Sequence, residues 1–277
     1  MFQSRASRFS PLAVAIVALI GCGGGPPAGA ANEGRAGKPQ AAAATSDRPI
    51  QLAADTPAAA QPAAAGSASV KGTVQFEGAA LTAATIKMDA DPVCQQQQTA
   101  PVKSEDVVVN SNQTLKNVFV YVKAGAKGAA AAPTTPVRLD QAGCWYHPHV
   151  QGIRVGQPLE IVNSDATLHN VNAKPAVNQP FNVAQPVQGM KTTKKFEKPE
   201  IMVKFKCNVH PWMSAYLGVV DNPFFGVTGD DGAFTLSGLP AGTYTLEAWH
   251  EKYGTQSASV TVGDGEAKSV TFTFKGQ

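Results

Sequence analysis

The sequence predicts an all-β protein, on three observations. From Ser67 onward the chain is built of short runs in which apolar and polar residues alternate, the period of a strand with one buried face. Gly, Pro, Asn and Asp interrupt these runs every 8–12 residues or so, the spacing of a β-sandwich or barrel. No sustained 3.6-residue apolar period argues for a long helix.

A different kind of sequence precedes the strands. Arg5 and Arg8 lead into an apolar run from Pro11 to Ile20, too short to cross about 30 Å of hydrocarbon. Residues 1–21 therefore read as a secretory signal. It ends Leu19-Ile20-Gly21-Cys22, which resembles the bacterial lipobox. The resemblance implies cleavage before Cys22, lipid on its sulfur, and a periplasmic protein anchored to a membrane. Gly rather than Asp at residue 23 implies, by the same analogy, the outer membrane. The alternative is an ordinary secretory signal with an incidental cysteine. Residues 22–66 read as a disordered tether. Of the 44 positions from Gly23 to Gly66, 16 are Ala, seven Gly and six Pro, a composition that cannot offset its ordering entropy.

Composition excludes several functions. Without Arg5 and Arg8, 21 basic residues face 20 acidic ones, no basis for nucleic-acid binding. Five histidines are too few for a multicopper oxidase. No His-x-x-Glu pair occurs, so a zinc peptidase lacks its ligands.

Along the chain, Val70, Val74 and Phe76 share one strand face. Val118, Val120 and Val122 share another, opposite Phe119 and Tyr121. Ile153/Val155 and Leu159/Ile161 continue the series, and Ile201, Val203, Phe205 and Cys207 alternate with Met202, Lys204 and Lys206. Residues 67–221 read as one domain whose first part, 67–125, is an integrated N-terminal β extension. A second unit, 222–277, opens at Asn222-Pro223. It has a hairpin turn at Asp231-Gly232, a second turn at Pro240-Ala241-Gly242, and closing strands around Val260/Val262 and Val270/Phe272/Phe274. It resembles the carboxypeptidase regulatory-like, transthyretin-type sandwich. That resemblance implies an accessory or interaction domain, not a peptidase.

The sharpest motif is Cys207-Asn208-Val209-His210-Pro211-Trp212-Met213. A cysteine ending an alternating strand, with a tight loop behind it, can bring thiolate, imidazole and thioether around one metal. Thiolate and thioether select copper, and a second imidazole completes a His2Cys plane. His169, 38 residues upstream in His169-Asn170-Val171, offers it. Residues 145–221 resemble a cupredoxin with a ligand loop of amicyanin length. The implied fold is a Greek-key sandwich, and the implied ligands of one type 1 copper are His169, Cys207, His210 and Met213. Asn170 would tie the two ligand loops together. Pro211 and Trp212 would flank an exposed edge of His210, where redox partners dock. A degenerate cupredoxin that has lost copper or binds another metal is the alternative, and a binuclear centre would need a second loop cysteine.

Cys94 and Cys144, outside the copper loop, read most simply as a disulfide in an oxidising compartment. His147 and His149 read as a pair flanking a strand start, one exposed and one packed, and a sharper alternative joins them to Cys144 as a second metal site on one strand face. His250 reads as a strand-end histidine or a contact between domains. The expected function is one-electron transfer without catalysis. Copper delivery is a rival, although the methionines left after the signal form no run. So is an envelope interaction module, although Trp145, Trp212 and Trp249 are dispersed rather than clustered for glycan.

Overall fold

Alternation becomes strands throughout the computed structural model, which describes residues 66–127 and 131–276. The expected signal, Cys22 and the tether up to residue 65 lie outside the described residues. The elements run β1 (Ala68–Glu77), β2 (Thr85–Ile86), α1 (Pro92–Gln97), β3 (Val102–Lys103), β4 (Phe119–Ala124), β5 (Val137–Ala142), β6 (Trp145–His147), β7 (Val150–Arg154) and β8 (Leu159–Asn163). They continue with β9 (His169–Ala173), β10 (Phe181–Gln185), β11 (Lys191–Lys194), β12 (Glu200–Lys206), β13 (Ser214–Val220), β14 (Phe225–Val227), β15 (Ala233–Leu239), β16 (Gly242–His250), β17 (Gly254–Val262) and β18 (Ala267–Lys275). Among the described residues, no helix is long and apolar enough to cross a membrane.

Two sandwiches result. The first packs a sheet of order β10-β9-β12-β13-β7 on one of order β11-β8-β5-β6. Its core holds Tyr146, Leu159, Ile161, Val171, Phe196, Phe205 and Leu217, together with Cys207 and Met213. The second packs β15-β1-β18 on β14-β4-β16-β17, around Val70, Phe76, Val120, Phe234, Leu246 and Phe272.

This arrangement corrects the expected boundary. β1 runs parallel to β18 from Ser69↔Ala267 to Glu77↔Lys275 and antiparallel to β15. β4 lies between β14 and β16. Two strands from 67–125 thus complete the second sandwich, and the first is inserted between β4 and β14. Gly72 makes room in the central strand β1. A Cβ there would lie 1.8 Å from the Val270 carbonyl oxygen and 2.7 Å from the Phe234 ring. Only the stretch between β1 and the residues leading to β4, carrying α1, approaches the first sandwich's ligand loop.

Both faces of β4 are buried from Phe119 to Val122. Val118, Val120 and Val122 enter the second core. Phe119 and Tyr121 form a cluster with Val150, Tyr216 and Val220 of the first sandwich, packed by Phe225 and Trp249. The Phe119 ring lies over two glycines that pair across β13 and β7, Gly218 and Gly152. A Cβ on Gly218 would sit 2.5 Å from Phe119 Cζ. Gly218→Val is therefore expected to destabilise the chain by about 1–3 kcal/mol through overpacking, read as a lower urea midpoint with unchanged slope.

His149 joins the same junction. Its Nε2 meets Glu251 Oε1 at 2.5 Å, its Nδ1 meets the Ser214 carbonyl at 3.1 Å, and Tyr216 donates to Glu251 Oε2 at 3.0 Å. Burial pushes the His149 pKa down, but Glu251, with Glu105 and the Ser214 carbonyl, lifts it above the ordinary value. A raised pKa in the folded state stabilises fully below the unfolded value of about 6.5 and loses that contribution as pH climbs through the folded pKa. The urea midpoint is expected to fall over that alkaline-going window, and Glu251→Gln is expected to flatten the fall.

Candidate metal centre

The loop after β12 is closed by its own backbone. Met213 N–H donates to the His210 carbonyl at 2.9 Å, and Cys207 N–H donates to the Met213 carbonyl at 3.2 Å. β12 reaches the loop with Val203, Phe205 and Cys207 inward and Lys204 and Lys206 outward. A register shift between Glu200 and Val203 leaves Ile201 outside, against the simple alternation. His169 begins β9, which pairs with the end of β12 through Phe205↔Ala173 and Lys206↔Asn172.

These elements bring three of the expected ligands, His169, Cys207 and His210, together, and bury Met213 in the same core as Cys207. His169 is 0%, Cys207 3%, His210 1% and Met213 0% exposed. The thiol and one nitrogen of each imidazole lie within 4.8 Å of one another. His169 Nδ1 is 2.9 Å from His210 Nδ1, which is 3.8 Å from Cys207 Sγ. Asn170 Oδ1 accepts from Asn208 N–H at 2.7 Å and from the Cys207 thiol at 3.4 Å, joining the two loops.

Both histidines are held from behind by carboxylates. His169 Nε2 donates to Asp165 Oδ2 at 2.8 Å, and His210 Nε2 donates to Asp91 Oδ2 at 3.0 Å. Asp165 also accepts the N–H groups of Gly143 and Cys144 at 2.8 Å each. Those two residues form the β5–β6 hairpin turn, and both have φ near +60°. Asp91 caps α1, accepting from Val93 and Cys94 N–H and from the Thr167 hydroxyl. Burial raises the Asp91 pKa, but these hydrogen bonds outweigh it and bring it to about 2. Burial lowers His169, yet Asp165 and Cys207 lift it to about 9. Burial and the neighbouring His169 hold His210 below the ordinary value despite Asp91. Burial raises the Cys207 thiol, but His169 and the backbone N–H groups of Asn170, His210 and Val209 carry it lower.

The donor set fits copper. With each Nε2–H committed to a carboxylate, both imidazoles turn Nδ1 toward the same point, and the proton that a His169 pKa of about 9 places there is the one a bound cation would displace. Two acceptors 2.9 Å apart repel unless a proton or a cation lies between them. A buried thiol and a buried thioether complete a soft, closed set of the kind copper favours. Carboxylates behind metal-facing imidazoles fix the tautomer and raise ligand basicity. Neither Asp91 nor Asp165 was marked by the sequence reading. The available signals were Asp91-Pro92, a helix-start pair, and an aspartate four residues before His169.

One expectation, the exposed His210 patch, and one alternative, the second metal site, need correction. The edge of His210 is not exposed. Asp91 covers its Nε2, Cys94 Sγ lies 3.6 Å from the same atom, and the Trp212 ring is 5.0 Å away. Trp212 itself donates to the Cys144 carbonyl at 3.1 Å and is half-buried, so only Pro211 of the expected patch is fully exposed. Cys144 is bonded to Cys94, which removes it from any site with His147 and His149. Those two histidines flank the start of β7, one exposed and one packed, rather than sharing a strand face. β6 ends at His147 and β7 begins at Val150, with Pro148, which has no N–H to continue a ladder, between them. His147 is exposed on the Ala142 carbonyl, while His149 is buried on Glu251. His250 ends β16 stacked on Tyr253 at 4.9 Å, its pKa lowered to about 4, chiefly by burial.

The carboxypeptidase regulatory-like domain family matches residues 222–275, which hold β14 to β18 but not β1 or β4. A comparison with curated protein sequences finds no match. Among solved structures, a copper-containing nitrite reductase from Thermus scotoductus is 27% identical at a TM-score of 0.28, over 35% of this chain. The chain spans a quarter of that protein's length (25%). A purple cupredoxin from Nitrosopumilus maritimus is 23% identical at a TM-score of 0.26, over 30% of this chain and 98% of its own. A Cu(I) amicyanin variant is 19% identical at a TM-score of 0.29, over 36% and 98%. The described chain is thus two β-sandwiches, one of them holding a segment, 222–275, that matches the carboxypeptidase regulatory-like family.

Proposed function

We propose that this protein carries single electrons through one type 1 copper ion held by His169, Cys207, His210 and Met213. The observation that carries the reading is the convergence of a buried thiol and two carboxylate-backed imidazole nitrogens within 4.8 Å, beside a buried Met213. When bound there, copper supplies the Cu(II)/Cu(I) couple. The protein's part is to hold the donors still. Two backbone hydrogen bonds close the loop, Asn170 bridges it to His169, and Asp165 and Asp91 fix both rings. Burial of all four ligands favours electron carrying over copper delivery, because handing a metal on requires a donor that a recipient can reach. The Leu19–Cys22 motif supports a lipid anchor at Cys22 on the periplasmic side, with the outer membrane favoured by Gly23.

Reversible redox cycling of the copper-loaded full chain tests this reading. One equivalent of reductant is expected to bleach the visible band and one of oxidant to restore it, with copper retained on gel filtration. Transfer of the reduced metal to a competing chelator during the cycle would favour the delivery reading instead.

A further inference from the structure

With the His210 edge closed, the electron needs another way in and out. The outer face of the five-stranded sheet provides one. Asn172, Lys174, Lys204, Lys206 and Asn208 surround an open hollow there. Lys204 and Lys206 point outward from β12, and Lys206 stands opposite Asn172 of β9. All three lysines are exposed, and none forms an ion pair with a carboxylate among the described residues. Glu200, at the head of the same strand, is taken up by the backbone N–H groups of Ala176, Val177 and Asn178. The patch therefore keeps its positive charge.

The patch also touches the redox site through the chain itself. Lys206 precedes Cys207 and Asn208 follows it. Asn208 is exposed, yet its N–H is held by Asn170 Oδ1, the atom that also takes the Cys207 thiol hydrogen bond. Its side-chain oxygen accepts from Asn172 Nδ2 at 3.0 Å, which stiffens the floor of the hollow. Val209, next in the chain after Asn208, is 46% exposed.

We propose that an acidic redox protein docks on the Lys174–Lys204–Lys206 face and exchanges its electron through the Cys207–Asn208 segment. In the reductive direction the partner loses one electron and the Cu(II) centre gains it, with no bond made or broken. The inference rests on the copper reading above. Opposite charge across such a face raises the encounter rate and makes it fall with salt.

Stopped-flow bleaching of the copper-loaded full chain by hexacyanoferrate(II), an anionic reductant, is the test, with hexaammineruthenium(II) as its cationic counterpart. The anionic rate is expected to fall with ionic strength. Replacing Lys174, Lys204 and Lys206 by Gln is expected to slow it about tenfold at low salt and to leave the cationic rate unchanged or faster. Neutralising Lys71, Lys268 and Lys275 on β1 and β18, an equal change in net charge, is expected to do much less. Equal slowing by both triple variants, or no salt dependence, would overturn the docking face. An unsubstituted chain that takes no colour from copper would overturn the copper reading itself, a separate outcome read before any kinetics.

Discussion

Asp165→Ala is expected to lower the Cu(II) affinity of the full chain by about 10- to 100-fold, the usual cost of losing a group that orients a metal-binding histidine. Asp165 holds three donors at once: His169 Nε2 and the Gly143 and Cys144 N–H groups. Without it, His169 loses the hydrogen bond that keeps Nδ1 free for the metal. The two turn amides lose their acceptor, at about 1–3 kcal/mol for each donor left unsatisfied. Asp165→Asn keeps a carbonyl acceptor without the charge, so its affinity is expected to lie between those of Ala and the natural residue. Competition titration against a Cu(II) chelator reads the series. Unchanged affinity in Asp165→Ala would mean that the carboxylate does not support the site.

Removing both disulfide cysteines, as Cys94→Ala with Cys144→Ala, is expected to cost about 4 kcal/mol, the chain-entropy value for a loop of 50 residues. The effect is not only global. The bridge joins α1 to the turn that Asp165 holds, and its Cys94 sulfur lies 3.6 Å from His210 Nε2. Without it, the segment carrying Asp91 is free to lift from the ligand loop. Unfolding in urea measures the first effect. Modification of His210 by diethylpyrocarbonate measures the second, and is expected to rise from near zero under conditions where the variant remains folded. A folded variant with His210 still protected would show that Asp91 and the Trp212 contact suffice to close the edge.

How much was legible in the sequence follows from which contacts are local. The Cys207–Met213 loop was readable as a candidate ligand loop because its three candidate donors fall within seven residues and its backbone hydrogen bonds close within the same span. His169 was readable because Asn170 beside it carries a recognisable role. Alternation in β4 and β12 assigned their strands, including the split of Val118/Val120/Val122 from Phe119/Tyr121. Alternation does not say which sheet a strand joins. Nothing within 68–77 records that its partner is 267–275, some two hundred residues away, so the insertion of one sandwich into the other was not visible. The cover over His210 was hidden for the same reason. Asp91 lies 119 residues from the histidine it holds, and the spacing of Cys94 and Cys144 does not say what their bridge lies against. Ile201 was misplaced by a bulge, which moves a residue to the opposite face without changing composition.

The central claim is that the thiolate of Cys207 and the Nδ1 atoms of His169 and His210 bind one copper ion. Visible and electron paramagnetic resonance spectra of the full chain after one equivalent of Cu(II), beside those of Cys207→Ser, test it most directly. The account predicts an intense thiolate-to-copper band with small hyperfine splitting, absent from Cys207→Ser. A colourless copper-bound chain, or a Cys207→Ser variant that keeps the band, would contradict it.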